Sequence, residues 1–448
     1  MSHRVRLGGV TSPQPNPIAR PVHSRSVRAQ VNAVRSRIVS AQDSAGAVRT
    51  LIEDREVELR AWVGFSPAIE TDAREVDRRI SDAGDSLPLA GLSVGVKDLI
   101  DVAGMPTRAG SDITSDEPAA LDAPCVDRLR TLGAVIQGKT VTTEFGYFRP
   151  GATRNPHAVD HTPGGSSSGS AAAVGSGTLP FALGTQTAGS LTRPASFCGA
   201  AAMVLAHGST DTSGITGLSP SLDSLGLLTR TITDLQYVYE AFTGKPLAVP
   251  AVAGVEVRLW SGSSLDTLSA HMRHLLDTLP VVLGEVGVTT TALQRDDHIR
   301  TLTDDQVAVM AYEASRTRAA EARDHADRLS TSLLELLRTG AGVSTDSYRA
   351  ALVRRDRSRT MVADSLGDHA VIVGPAALGP APKGLGATGS PVLSRAWQLL
   401  GCPVITVPGA RTDDGMPLGL QVIGVGGGEG AIFAVARALE QRLGSTVV

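Results

Sequence analysis

The chain has 448 residues, 42% hydrophobic and 19% charged, too long for a small binding module and too apolar for disorder throughout. A net charge of −3 and 3% aromatic residues exclude a dominant nucleic-acid surface and base-stacking platforms. Lysine occurs only at 97, 139, 245 and 383, and the other 38 basic residues are arginine.

The N-terminal stretch carries Arg4, Arg6, Arg20, Arg25, Arg28, Arg35 and Arg37, with no acid before Asp43. It has no apolar segment of the kind a secretory signal needs. An organelle transit peptide shares the composition, but a solvated tail leading into a helix fits better. Residues 1–38 are therefore taken as tail and start of the first helix, and 39–448 as one domain. Cytoplasm is the expected location. Residues 1–26 read as an irregular lead-in with prolines at 13, 15, 17 and 21. Helical spacing of Val27, Val31, Val34, Ile38 and Val39 then begins a helix that continues in pieces to about residue 60.

Leu89–Leu99 looks like a strand, Ala123–Leu132 like a helix, and Ala134–Ile136 like a strand. Residues 163–177 are rich in Gly, Ser and Ala. They suit a flexible linker or a serine loop opening onto a helix. Residues 305–338 read as one long amphipathic helix. Val371–Gly374, Val404–Val407 and Gly419–Ile423 read as buried strands, and Glu429–Leu443 as a closing helix. Strands alternating with helices argue for an α/β layered domain. Cys125, Cys198 and Cys402 are far apart and odd in number, as buried free thiols would be.

Three segments carry candidate chemistry. Lys97 ends an apolar strand, flanked by Val94, Val96, Leu99 and Ile100. Burial would lower its pKa and make it a base; the structural alternative is a lysine that reaches water or pairs with Asp98. Ser166, Ser167 and Ser168 cluster in Pro163-Gly-Gly-Ser166-Ser-Ser-Gly-Ser170, where hydroxyls relay protons or simply cap a helix. This run also fits the G-x-S-x-G nucleophile elbow, but Asp160–Pro163 do not read as the strand an elbow requires. Finally, Gly184-Thr-Gln-Thr-Ala188-Gly189-Ser190 forms a turn whose backbone N–H groups suit an oxyanion. Arg193 follows and suits a substrate carboxylate, or holds the turn. His157, His161 and His207 form no recognisable pattern with these serines.

Taken together, these segments resemble the amidase signature family. The likeness runs through Gly95-Val-Lys97-Asp, Gly164-Gly-Ser166-Ser-Ser-Gly-Ser-Ala, Gly184-Thr-Gln-Thr-Ala-Gly-Ser190 and Arg193-Pro-Ala-Ser-Phe-Cys198-Gly199. It continues in Leu218-Ser-Pro-Ser-Leu-Asp223, Gly401-Cys-Pro-Val-Ile-Thr-Val-Pro408 and Pro417-Leu-Gly-Leu-Gln421-Val. The stretch from Gly184 to Arg193-Pro194 and the segment Asp101-Val-Ala-Gly-Met-Pro-Thr107 are similar to malonamidase-like and ureide-amidase enzymes. The resemblance implies a large mixed central β-sheet covered by helices on both faces. It implies no cofactor and no metal. It also implies Ser190 as nucleophile, Ser166 as bridge after a cis Gly165–Ser166 bond, and Lys97 as base. The oxyanion would meet the N–H groups of Thr187, Ala188, Gly189 and Ser190, and the substrate would meet Arg193, Gly165 and Thr185. The implied reaction is hydrolysis of a small, carboxylate-bearing amide or ureide through an acyl-enzyme. An amidotransferase subunit delivering ammonia within a complex, or a catalytically impaired scaffold, are the alternatives. The expected partner is the small-molecule amide, with a homodimer as the possible assembly and neither nucleic acid nor membrane involved.

Three departures from the family pattern stand out. Ala188 replaces a usual glycine and is expected to narrow the oxyanion turn and disfavour positive φ. Val204-Leu205-Ala206 and Ser394 also depart, and are expected near the pocket.

Overall fold

The computed structural model describes residues 26–83, 87–366, 370–425 and 428–444; the arginines up to Arg25 lie outside them. Eleven strands form one mixed sheet. They are β1 (Trp62–Phe65), β2 (Ser93–Lys97), β3 (Val135–Thr140), β4 (Phe181–Gln186), β5 (Ala201–Val204) and β6 (Ser224–Thr229). The rest are β7 (Glu256–Leu259), β8 (Thr290–Ala292), β9 (Ala370–Pro375), β10 (Val404–Arg411) and β11 (Pro417–Gly424). Their order is β1-β3-β2-β4-β6-β5-β10-β11-β9-β7-β8. β2 runs parallel to β3 and β4, and the β4-β6-β5-β10-β11-β9 stretch is antiparallel.

Every residue of β2, β3, β4, β6 and β11 is buried. Successive side chains of a strand point to opposite faces, so both faces of this sheet are covered, as the α/β expectation requires. One contiguous apolar cluster spans Val27 to Leu443.

The strands expected near 89–99, 134–136, 371–374, 404–407 and 419–423 are present, with shifted limits. The N-terminal helix ends at Arg35, and a second runs Ala41–Leu59 after Ser40 caps it, accepting from Asp43 N at 2.9 Å. Ile38 falls in the break and is 60% exposed, which corrects its place in the helical stripe. The 305–338 stretch is also corrected: it is divided among helices Asp296–Thr317, Ala319–Asp324 and Thr331–Gly342. Ser330 caps the last of these, and its N–H donates to buried Glu144. The chain then folds back, and the first and third helices cross closely at Gly340. A Cβ there would meet Ala311 O at 1.8 Å.

Among the described residues no helix is long and apolar enough to cross a membrane. All three cysteines are free and buried.

Candidate active site

Three chain segments converge at the C-terminal end of β2 and β4. The parallel ladder sets Val96 beside Leu183, so Lys97, the last residue of β2, projects toward Thr185. The serine loop opens onto the buried helix Ser168–Gly175, which decides between linker and helix. Asp160–Pro163 contain no strand, so the discounted elbow has no place. The Gly165–Ser166 peptide is cis.

Lys97 is fully buried. Its Nζ lies 2.6 Å from Ser166 Oγ and donates to Thr185 Oγ1 at 2.7 Å. Burial holds its pKa well below the ordinary lysine value, with Asp223 pulling weakly the other way. Asp98 is not its partner. Asp98 pairs with Lys139 at 2.9 Å, because neighbours on extended backbone face opposite sides.

Ser167 N donates to Ser190 O at 3.1 Å. Ser167 Oγ donates to Thr185 O and accepts from Thr185 N, so it ties the loop to β4 instead of capping the helix. Ser166 and Ser190 line one cavity of about 20 Å³, with Thr187, Ala188, Arg193 and Arg395. A second cavity of about 300 Å³ also borders Ser166 and Thr187, from the side of Ile215, Thr216 and Asp223.

The turn after β4 is held from outside. Gln186 Oε1 accepts from Leu191 N and Thr192 N, both at 3.0 Å, and starts the helix Thr192–Cys198. Gln186 Nε2 donates to Gln398 Oε1. Thr187 donates to Asp223 at 2.5 Å, and its carbonyl accepts from Gln306 Nε2 at 3.0 Å. Among the described residues the N–H groups of Ala188, Gly189 and Ser190 donate to no protein group. Neither Ala188 nor Gly189 has positive φ. The expected conflict at Ala188 is therefore absent, because the turn never enters the left-handed region. Gly189 is the constrained position: a Cβ there would meet Pro391 Cβ at 3.0 Å and Arg193 Nη1 at 3.3 Å.

Arg193 is 3% exposed. Its Nη2 donates to Gly165 O at 2.5 Å, while Nε and Nη1 have no partner among the described residues. Gly165 thus meets Arg193 through its carbonyl, and Thr185 is engaged by Lys97; neither lines the smaller cavity. Val204 sits in β5, and Leu205 and Ala206 line a separate surface groove. Ser394 is buried in the helix Val392–Leu399. Val204, Leu205, Ala206 and Ser394 do not line the cavity. That corrects the expected placement of the first three, because β5 is separated from β4 by β6; Ser394 does lie near the pocket, since its N–H donates to Pro391 O and Arg395 follows it. Tyr147, Phe148, Met310 and Arg395 do line it, and no local pattern in the sequence singles them out.

A family model for amidases matches residues 52–256. A glutamyl-tRNA(Gln) amidotransferase subunit from Bacillus velezensis is 30% identical over 94% of this chain and 95% of its own. The chain belongs to the amidase signature family. The corresponding protein from Koribacter versatilis is 30% identical over 92% of this chain and 97% of its own. Among solved structures, an amidase superposes with a TM-score of 0.84 at 26% identity, over 94% of this chain and all of its own. A vestigial protein complex that bears on the origins of an s-triazine catabolic enzyme contains a chain that gives 0.84 at 25% identity, over 94% and 100%.

Proposed function

We propose that the chain hydrolyses the C–N bond of a small, carboxylate-bearing amide or ureide through a Ser190–Ser166–Lys97 relay. The observation that carries this reading is Lys97: fully buried, hydrogen-bonded to no carboxylate among the described residues, and 2.6 Å from a serine that shares a cavity with Ser190. A lysine of lowered pKa is a competent base near neutrality.

Ser190 Oγ attacks the amide carbon as its proton passes to Ser166 and that of Ser166 passes to Lys97 Nζ. The oxygen that gains charge meets the N–H groups of Thr187, Ala188, Gly189 and Ser190; the last three are free to donate. The C–N bond then breaks. Ser166 protonates the departing nitrogen and is reprotonated by Lys97. Water attacks the acyl-enzyme by the same relay, releasing the acid and restoring Ser190. Arg193 lines a cavity whose lining, among the described residues, contains no carboxylate, and its Nε and Nη1 are buried without a hydrogen-bond partner there, which suits an acid end on the substrate.

The curated relatives favour a second reading, an amidotransferase subunit that releases ammonia within a complex. One assay separates the two: ammonia release from malonamate, biuret, propionamide and benzamide by the isolated chain. Turnover of malonamate or biuret that Ser190→Ala abolishes supports the hydrolase. Turnover that survives Ser190→Ala rejects the relay, and ammonia released only after a second protein is added favours the amidotransferase.

A further inference from the structure

Arg193 is the cation that the sequence nominates, and Arg395 is one that it does not. Arg395 stands four residues after Pro391, on the helix Val392–Leu399. Pro391 and Arg193 Nη1 crowd the same spot above Gly189, so this helix and the start of Thr192–Cys198 meet at the oxyanion turn. Both guanidiniums line the cavity of Ser166 and Ser190. Three of their nitrogens, Arg193 Nε and Nη1 and Arg395 Nε, are buried without a hydrogen-bond partner among the described residues. No described Asp or Glu lines the cavity. Around Arg395 the groups that act on it through charge are Tyr147 and Asp304. Burial lowers the hold of each arginine on its proton, and for Arg193 the charge of Arg395 adds to it.

Arg193 is buried and Arg395 half-buried, no described carboxylate lines the pocket they share, and Asp304 acts on Arg395 only from outside that lining, so the empty pocket is electrostatically unfavourable. A packing role does not require it, since an apolar side chain of similar length would fill the space without charge. The arrangement becomes favourable once an anion enters. As it stands the cavity of about 20 Å³ holds little more than a water molecule, so an anion enters only as the side chains that line it give way, and a short one needs the least movement.

We propose that Arg395 is a second specificity-determining arginine, which grips the carboxylate of a short anionic amide from the side opposite Arg193. This rests on the active-site reading above and adds the substrate class: short amides with the acid group close to the scissile carbonyl.

Calorimetric titration of malonate into the full chain tests it. Malonate binds the wild type. Arg395→Ala weakens binding about tenfold to a hundredfold, the loss of one hydrogen-bonded charge contact, and Arg395→Lys falls between. In kinetics, the malonamate-to-propionamide ratio of kcat/KM falls by a similar factor in Arg395→Ala, with the malonamate loss in KM. Arg395→Ala also melts no lower than the wild type, because it removes one of two repelling charges. The proposal is overturned if malonate does not bind the wild type, if Arg395→Ala binds it within twofold of wild type, or if that variant melts lower and loses both substrates in parallel. Arg395-dependent malonate binding by a protein that hydrolyses no amide keeps the proposal and rejects the hydrolase reading. Malonamate turnover indifferent to Arg395→Ala does the reverse.

Discussion

Two buried lysines sit on neighbouring strands. Lys97 ends β2 and Lys139 lies in β3, whose parallel ladder pairs Lys139 with Val96. Both are at most 1% exposed. Burial lowers the pKa of each, but their partners differ. Lys139 faces the Asp98 carboxylate at 2.9 Å and Thr107 Oγ1 at 3.0 Å, and Asp98 opposes the effect of burial. Among the described residues Lys97 bonds only to hydroxyl and carbonyl oxygens. Burial alone therefore does not make a base: it does so where no carboxylate is at hand to keep the ammonium charged. One lysine fastens two strands, and the other is the base of the proposed relay.

Substitutions separate the two. The largest expected effect is on rate: Lys97→Met lowers kcat for amide hydrolysis by about 10⁴-fold or more, the scale seen when a member of a nucleophile–base unit is removed. A loss below about tenfold in an ammonia-release assay breaks the comparison. Next is stability. Lys139→Met leaves Asp98 buried and unpaired, which destabilises by about 3–5 kcal/mol in denaturant unfolding. The double variant Lys139→Met, Asp98→Leu recovers most of that. Lys97→Met leaves no charge behind and unfolds no earlier than the wild type.

A pH series sharpens the contrast further. The folded pKa of Lys97 lies below the unfolded value of about 10.4. Between the two values the unfolded chain binds the extra proton, so wild-type stability rises with pH. The stability advantage of Lys97→Met should thus be greatest at low pH and shrink as pH approaches about 10.4. Activity should fall as pH drops through the folded value. An unchanged stability gap from pH 6 to pH 10 would show that Lys97 titrates normally. The smallest expected effect comes from Asp223→Asn. Asp223 is the carboxylate that raises the Lys97 pKa, so the acid limb of the kcat/KM profile moves to lower pH, by less than about one unit.

What is legible in the sequence is what local chemistry dictates. Ser166 and Ser190 stand in short segments dense in glycine and serine, where few other residues fit the turns, and Lys97 stands out as a cation that ends an apolar strand. The apolar runs of β2 and β9, and those of β10 and β11 interrupted only by Thr406 and Gln421, announce buried strands. β4 is hidden because only Phe181–Leu183 are apolar before Gly184 and its polar successors, whose hydroxyls and amide are spent inside the site. The residues that brace it are hidden too. Gln306 and Gln398 occupy helix positions that read as solvent-facing polar residues, and only the fold brings them to the end of β4; Arg395, on the same helix as Gln398, reads the same way and reaches the cavity. The 305–338 stretch reads as one helix because polar periodicity continues across 318–330, while the restart at Ser330 is held by the distant Glu144.

The hydrogen bond from Ser167 N to Ser190 O closes a covalent and hydrogen-bonded ring around β4. Loop, helix, strand and turn form one circuit, with the candidate nucleophile at one end of the closure and the residue after its bridge at the other. Such a circuit has no loose end to fray. The two serines part only when the central sheet itself opens, so on heating, loss of activity should track global unfolding instead of preceding it as it does in enzymes whose sites sit on mobile lids.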